Sequence, residues 1–417
     1  MEKQAKDLSV YKKKFDDDIM SFREYEAMDY IRELKNQDRL DEAIEVGRVL
    51  LDTRPELKTY INNFGYALYN KYIASVSEQT EVNENLYFDM VKEILHITKQ
   101  EKYSPYESVV NHVIKYASNK KPIDYAMINQ YLDHLDPTLL SKKPFITKSN
   151  KEGESRFERW YRLKARALYE IGNYKDCIFY ANQALAQSIK WHYRNLQWIC
   201  YYKAMANLKL KNYDECEKDF LSLQGQINNI DFYRALFELH TVKGNQKEAN
   251  TYLLYDLFIS GYNSGLLPLY NDFLVATKAT NDEKLIEIVS VFIDKLKEET
   301  NQLAEDDIID EKYKENNSSD LYDRMMNELV NKLSLYLDRA TGKVVHYNEE
   351  KNLGTIVSDE KNTLFFRQSD FIFDEEVQKY DRVEYTEMKA YDSKKGVPTT
   401  KAVLLLINEN FDNYFHF

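Results

Sequence analysis

Glycine and proline are scarce in this chain, 11 and 7 in 417 residues, and cysteine is scarcer still, at 3. So few backbone breakers exclude a collagen-like, low-complexity or turn-dense all-β architecture over most of its length. The cysteines, Cys177, Cys200 and Cys216, lack zinc-ligand spacing and are too few for a disulfide framework, which suits a reducing compartment. No stretch approaches about 18 uncharged apolar residues. The opening MEKQAKDLSVYKKKFDDD has no apolar core of a signal peptide. Positive charge is also in deficit, 57 Lys and Arg against 69 Asp and Glu, a formal net charge of −12 that favours solubility and disfavours anionic membranes. The expectation is a soluble, cytoplasmic protein without a membrane partner.

Catalytic signatures are missing as well. There is no Walker-type phosphate loop, dinucleotide fingerprint, HExxH pair or Gly-x-Ser-x-Gly elbow. Seven scattered histidines form no metal pattern, and paired acids such as Asp306 and Asp307 lie in a solvated charge run. We therefore expect no catalytic residue, metal or cofactor.

What is present is apolar and charged residues at helical spacing, 43% and 30% of the chain, which read as a long all-α region. The length predicts two or three domains. Internal repetition sharpens this. ARALYEIGNYKDC, from Ala165 to Cys177, and AMANLKLKNYDEC, from Ala204 to Cys216, share a register displaced by 39 residues. VKGNQKEA ends at Ala249, 33 residues after the second copy, and near the start Ala43 and Pro55 stand twelve apart. These small-residue and terminal-proline positions resemble the tetratricopeptide repeat, a helical hairpin of about 34 residues. Small side chains at Ala43, Cys177, Cys216 and Ala249 would let paired helices approach, with Gly172 and Gly244 closing first helices. VKEILHITK and INQYLDHL read as amphipathic helices of diverged repeats. Thr280 and Glu283 have capping-box spacing before Leu285, Val289, Phe292 and Leu296. The 34 tyrosines read as compositional drift of an AT-rich genome. Stacked hairpins form a concave surface suited to a protein partner.

Beyond about residue 341 the texture changes. GKVVHYNEEKNLGTIV, TLFFRQSDF and KKGVPTTKAVLLL follow in an order that resembles a cold-shock domain, a five-stranded barrel of the OB type. Gly342, Lys343, Val344, Asn348, Lys351, Gly354, Ile356, Phe365 and Ser369 occupy positions matching that family. The resemblance implies binding of single-stranded RNA or DNA by stacking on an exposed strand face. The family's aromatic platform here holds His346, Leu353, Thr355, Phe365, Arg367 and Gln368, so most of its rings are replaced. Strand alternation puts Phe366 on the face opposite Phe365, and Tyr347, Phe366 and Phe371 are expected to point inward. Carried over, the candidate binding residues are His346, Lys351, Phe365, Arg367, Gln368, Lys394 and Lys395, with Lys389 and Lys401 as further edge cations. From Thr341 to Phe417 ten basic residues face fourteen acidic ones, so counterion release would contribute little and binding would be weak.

The expected fold is mostly α: a tetratricopeptide-like solenoid over 1–300, with its clearest repeats at 24–57, 157–190, 196–229 and 230–262, followed by a small all-β barrel. An acidic linker at 301–319 and a connecting helix at 320–340 lead into the barrel at 341–417. The pairing of such repeats with such a barrel resembles accessory components of bacterial conflict systems, including those called TOTE. The implied function is a non-enzymatic adaptor with a protein partner in the solenoid groove and single-stranded nucleic acid on the barrel. The alternative is a pure protein scaffold whose barrel has lost nucleic acid.

Overall fold

Helices run from Ser9 to Tyr336 and strands follow from Ala340 to Ile407. This computed structural model describes residues 7–76, 83–224, 232–302, 316–392 and 395–407. The helices are α1 (Ser9–Asp17), α2 (Glu24–Asn36), α3 (Leu40–Thr53), α4 (Ile61–Tyr72), α5 (Glu84–Ile97), α6 (Tyr106–Asn119), α7 (Tyr125–Leu132), α8 (Arg156–Glu170) and α9 (Tyr174–Leu185). After them come α10 (Asn195–Lys209), α11 (Tyr213–Leu223), α12 (Phe232–Val242), α13 (Gln246–Ser260), α14 (Leu267–Lys278), α15 (Glu283–Glu299), α16 (Ser318–Val330) and the single turn α17 (Leu333–Tyr336). The segments of clearest sequence repetition hold the pairs α2 and α3, α8 and α9, α10 and α11, and α12 and α13.

Local chemistry explains the hairpins. Ser155 caps α8, its hydroxyl accepting from the Glu158 amide at 3.1 Å while the Glu158 carboxylate accepts from the Ser155 amide at 2.8 Å. Gly172 ends that helix in the left-handed region, φ +79°, and Gly244 ends α12 the same way at φ +76°. Cys177 on α9 is fully buried, and its thiol donates to the Ala165 carbonyl of α8 at 3.3 Å. A larger side chain there would push the two helices apart. The same logic holds at Gly47 of α3, where a methyl group would overlap the Phe64 ring of α4. Ala43, Cys216 and Ala249 are likewise fully buried. One expectation needs correction: α15 is capped by Asp282, whose carboxylate accepts from the Leu285 amide at 2.9 Å, while the Thr280 hydroxyl turns back to the Thr277 carbonyl. Asp and Thr are both competent caps, and the turn geometry selects the nearer one.

The chain divides into two compact units, Met1–Tyr202 and Lys203–Phe417. In the first, a continuous apolar core runs from Leu8 to Ile199. In the second, helices and strands pack together. Its strands are β1 (Ala340–Asn348), β2 (Leu353–Ser358), β3 (Thr363–Arg367), β4 (Arg382–Asp392) and β5 (Val397–Ile407). They pair in the order β1-β2-β3-β5-β4, and antiparallel pairing of β1 with β4 closes the sheet into a barrel. Among the described strands, β3 and β5 are the parallel pair, with Phe365 opposite Lys401. Alternation sends Val344, Ile356, Leu364, Phe366, Val383 and Tyr385 into the barrel core. Gly354 is required beside Phe366, because a side chain there would overlap the ring. Lys401 to Ile407 are all buried: inner residues of β5 enter the core, and α11 and α13 lie against the same strand. Most of the expected acidic linker, 303–315, lies outside the described residues.

Candidate nucleic-acid interface

The pleat places two rows of side chains on the outer face of β1, β2 and β3. His346 stands opposite Thr355, and Thr355 opposite Phe365; one step along, Leu353 lies between Asn348 and Arg367. His346, Leu353 and Arg367 are exposed, and Thr355 and Phe365 are half-buried. Phe366, between the two outward residues of β3, is fully buried against Tyr347, the rings 6.1 Å apart and nearly parallel. The predicted side chains His346, Phe365 and Arg367 therefore share one face.

Lys351 joins them from the β1–β2 turn, where the Asn348 side chain accepts its backbone N–H at 2.9 Å. Lys351, Leu353, Arg367, Phe371 and Asp374 line an open groove of about 670 Å³. Ile372 and Phe373 extend its apolar wall, a contribution sequence reasoning missed although the run Phe371-Ile372-Phe373 just after β3 was its only signal. His346 borders a smaller depression of about 290 Å³ with Glu349 and Lys379.

Other predicted residues are placed differently. The Gln368 amide is committed: its oxygen accepts from the Tyr347 hydroxyl at 2.8 Å and its nitrogen donates to the Glu375 carbonyl at 2.7 Å. It lines the same groove as Lys351 and Arg367, with its amide engaged in holding the turn after β3. Lys395 is exposed on the β4–β5 turn, 3.8 Å from Asp392, and lines neither groove. Lys394 lies outside the described residues.

The supposed edge cations are structural. Lys401 is buried, 7% exposed, and its ammonium donates to Asp370 and to the Tyr255 hydroxyl of α13, each at 2.9 Å. Tyr255 in turn donates to Asp370 at 2.5 Å, and the other Asp370 oxygen accepts the Arg367 amide at 2.7 Å. Burial drives the Lys401 pKa down and the Tyr255 pKa up. Lys389 reaches Glu217 of α11 at 2.6 Å and Glu248 of α13 at 2.9 Å. Both lysines fasten the barrel to the helices of its own unit. Lys389 remains half exposed, whereas Lys401 is covered; the periodicity of β5 makes Lys401 look like a solvent-facing cation, because the helices covering that face are distant in sequence.

Glu217, Glu248 and the fully buried His240 bring potential metal-ligand atoms within 4.8 Å of one another. The ammonium of Lys389 bridges the two carboxylates, and Lys243 adds a second contact to Glu217 at 2.8 Å. Cationic charge is thus already supplied to both acids, and the cluster reads as a partly buried ion-pair network. Burial works against ionised Glu248, but its contacts with His240 and Lys389 outweigh it and hold the carboxyl at about 2.

No protein-family model and no curated sequence matches this chain. No described helix is long and apolar enough to cross a membrane.

Proposed function

We propose that the chain is a non-enzymatic adaptor whose tetratricopeptide-like hairpins hold a protein partner and whose OB-type, cold-shock-like barrel binds single-stranded RNA or DNA weakly. One observation carries the nucleic-acid half: His346, Phe365, Arg367 and Leu353 occupy adjacent outward positions on β1, β2 and β3, beside a groove edged by Lys351. A ring, an imidazole and a planar guanidinium on neighbouring strands can stack on bases while the two cations meet phosphates. The strand order and the small residues at the hairpin crossings support the two fold assignments. Membership of a bacterial conflict system belongs to the same reading and rests on the combination of the two modules.

Fluorescence anisotropy with a labelled single-stranded oligonucleotide at low salt tests it. Replacing Phe365→Ala together with Arg367→Ala should weaken binding by about one stacked base, roughly 1–3 kcal/mol. An unchanged affinity removes the barrel from the account. The commitment of Gln368 and the acidic balance of 341–417 favour the second reading, a protein-only scaffold, under which purified protein binds no oligonucleotide even at low salt.

A further inference from the structure

The first unit carries a patch that the adaptor reading does not use. Between Ser141 and Lys151 the sequence SKKPFITKSNK has four lysines and no acid, in a chain whose net charge is −12. The segment folds back on itself: Thr147 donates its amide to the Lys151 carbonyl at 2.9 Å, and Gly153 donates to the Phe145 carbonyl at 2.7 Å. Hydrophobic side chains that would ordinarily be covered point outward here. Phe145 is 66% exposed, Ile146 52% and Tyr193 64%. Tyr193 belongs to the loop before α10 but sits over the same turn, since a side chain added at Gly153 would meet its hydroxyl at 3.1 Å.

Two details set this patch apart from an ordinary solvated loop. Tyr193 and Arg194 are consecutive non-glycine residues in the left-handed region, φ 51° and 58°, a conformation that costs free energy and persists only where surrounding contacts impose it. The acids nearest the loop are already occupied: Glu152 by Lys190 and His192, and Glu154 by Arg159 and Arg162. Lys143, Lys148 and Lys151 have no side-chain partner among the described residues, so their charge is not neutralised by the protein.

We infer that this patch is a second single-stranded nucleic-acid contact, in which Lys143, Lys148 and Lys151 meet phosphates and Phe145 and Tyr193 offer their faces to bases. Unneutralised lysines call for a polyanion, and exposed flat rings between them match the alternation of phosphate and base along a single strand. An anionic membrane fits less well, because the apolar part is two loop side chains and a tyrosine with no amphipathic helix to insert. The inference rests only on residues of the first unit and stands or falls apart from the barrel.

The test uses the full chain and a fluorescein-labelled oligodeoxythymidine, titrated at salt from about 50 to 200 mM. Lys148→Gln with Lys151→Gln should weaken binding at least about fivefold at the low end and flatten the slope of log affinity against log salt by about 1.4, two contacts at about 0.7 each. Phe145→Ala and Tyr193→Ala should each weaken binding by at least about fivefold with the salt slope unchanged. These losses should also be seen in a chain carrying Phe365→Ala and Arg367→Ala, which separates this patch from the barrel face. The proposal is overturned by unchanged affinity and slope in the loop variants. It is equally overturned by absence of binding in the intact chain, or by loop variants that lose phosphatidylserine vesicles while keeping the oligonucleotide. Because Phe145, Lys148, Lys151 and Tyr193 are exposed, circular dichroism melting of the loop variants should match that of the chain they are made in.

Discussion

Lys401 shows how a single side chain changes meaning with its surroundings. Buried between Asp370 and Tyr255, it is a tie rather than a phosphate ligand. Removing one member of such a buried pair leaves the other charge stranded, so Asp370→Ala should destabilise the second unit by about 3–5 kcal/mol in urea denaturation. Tyr255→Phe, which deletes only a hydroxyl, should have a smaller effect. Glu248 carries a pH signature. Its carboxyl is held at about 2, below the ordinary 4.5, and faces His240 and Lys389, with Glu217, Lys243 and Tyr252 close by. A lowered folded-state pKa contributes stability that is complete above about 4.5 and is lost as pH falls toward about 2. The urea midpoint should therefore fall through that window, and Glu248→Gln should flatten the fall.

At the level of elements, close approach explains where small residues stand. Gly354 on β2 makes room for the Phe366 ring, so Gly354→Ala overpacks the barrel and should lower stability by about 1–3 kcal/mol, read as an earlier thermal transition. Asp282 is the cap of α15, and Asp282→Ala should remove about 1 kcal/mol, whereas Thr280→Ala leaves the cap in place. That substitution pair distinguishes the observed cap from the one that spacing alone favours. On β3, alternation decides which aromatic serves which purpose: Phe366 fills the core and Phe365 remains at the surface.

For the whole molecule, the grouping of Lys203–Phe417 has a direct consequence. From Lys401 to Ile407 strand β5 is buried on both sides, and Lys389 and Lys401 find partners on α11 and α13. Cut away from those helices, the strands would expose apolar β5 residues and strand a buried lysine. A fragment of residues 341–417 should be poorly folded by near-ultraviolet circular dichroism, while a fragment of residues 203–417 should unfold cooperatively. A well-folded short fragment would show that the helical contacts are dispensable to the barrel.

The mostly helical architecture, the helix pairs around Cys177, Cys216 and Ala249, and the inward course of Phe366 were all legible in the linear order of residues, because each follows from a period of 3.6 or 2. Phe365 and Arg367 face outward by the same alternation, whereas His346 was read from the family resemblance: strict alternation from the buried Val344 would turn it inward, and a bulge between the two brings it to the outer face. The burial of Lys401 and the contacts that tie Gln368 and Lys389 were not legible, because their partners, Tyr255 with Asp370, Tyr347 with Glu375, and Glu217 with Glu248, lie from 7 to 172 positions away and no local period announces them. The exposed rings at Phe145 and Tyr193 were hidden likewise, since an apolar side chain in a sequence is ordinarily assigned to a core. Short-range periodicity thus determined which elements form and which side of each is apolar. Long-range packing alone decided which charges are spent on holding the molecule together and which remain for a ligand, because the environment of a charge is set by whatever the chain folds against it.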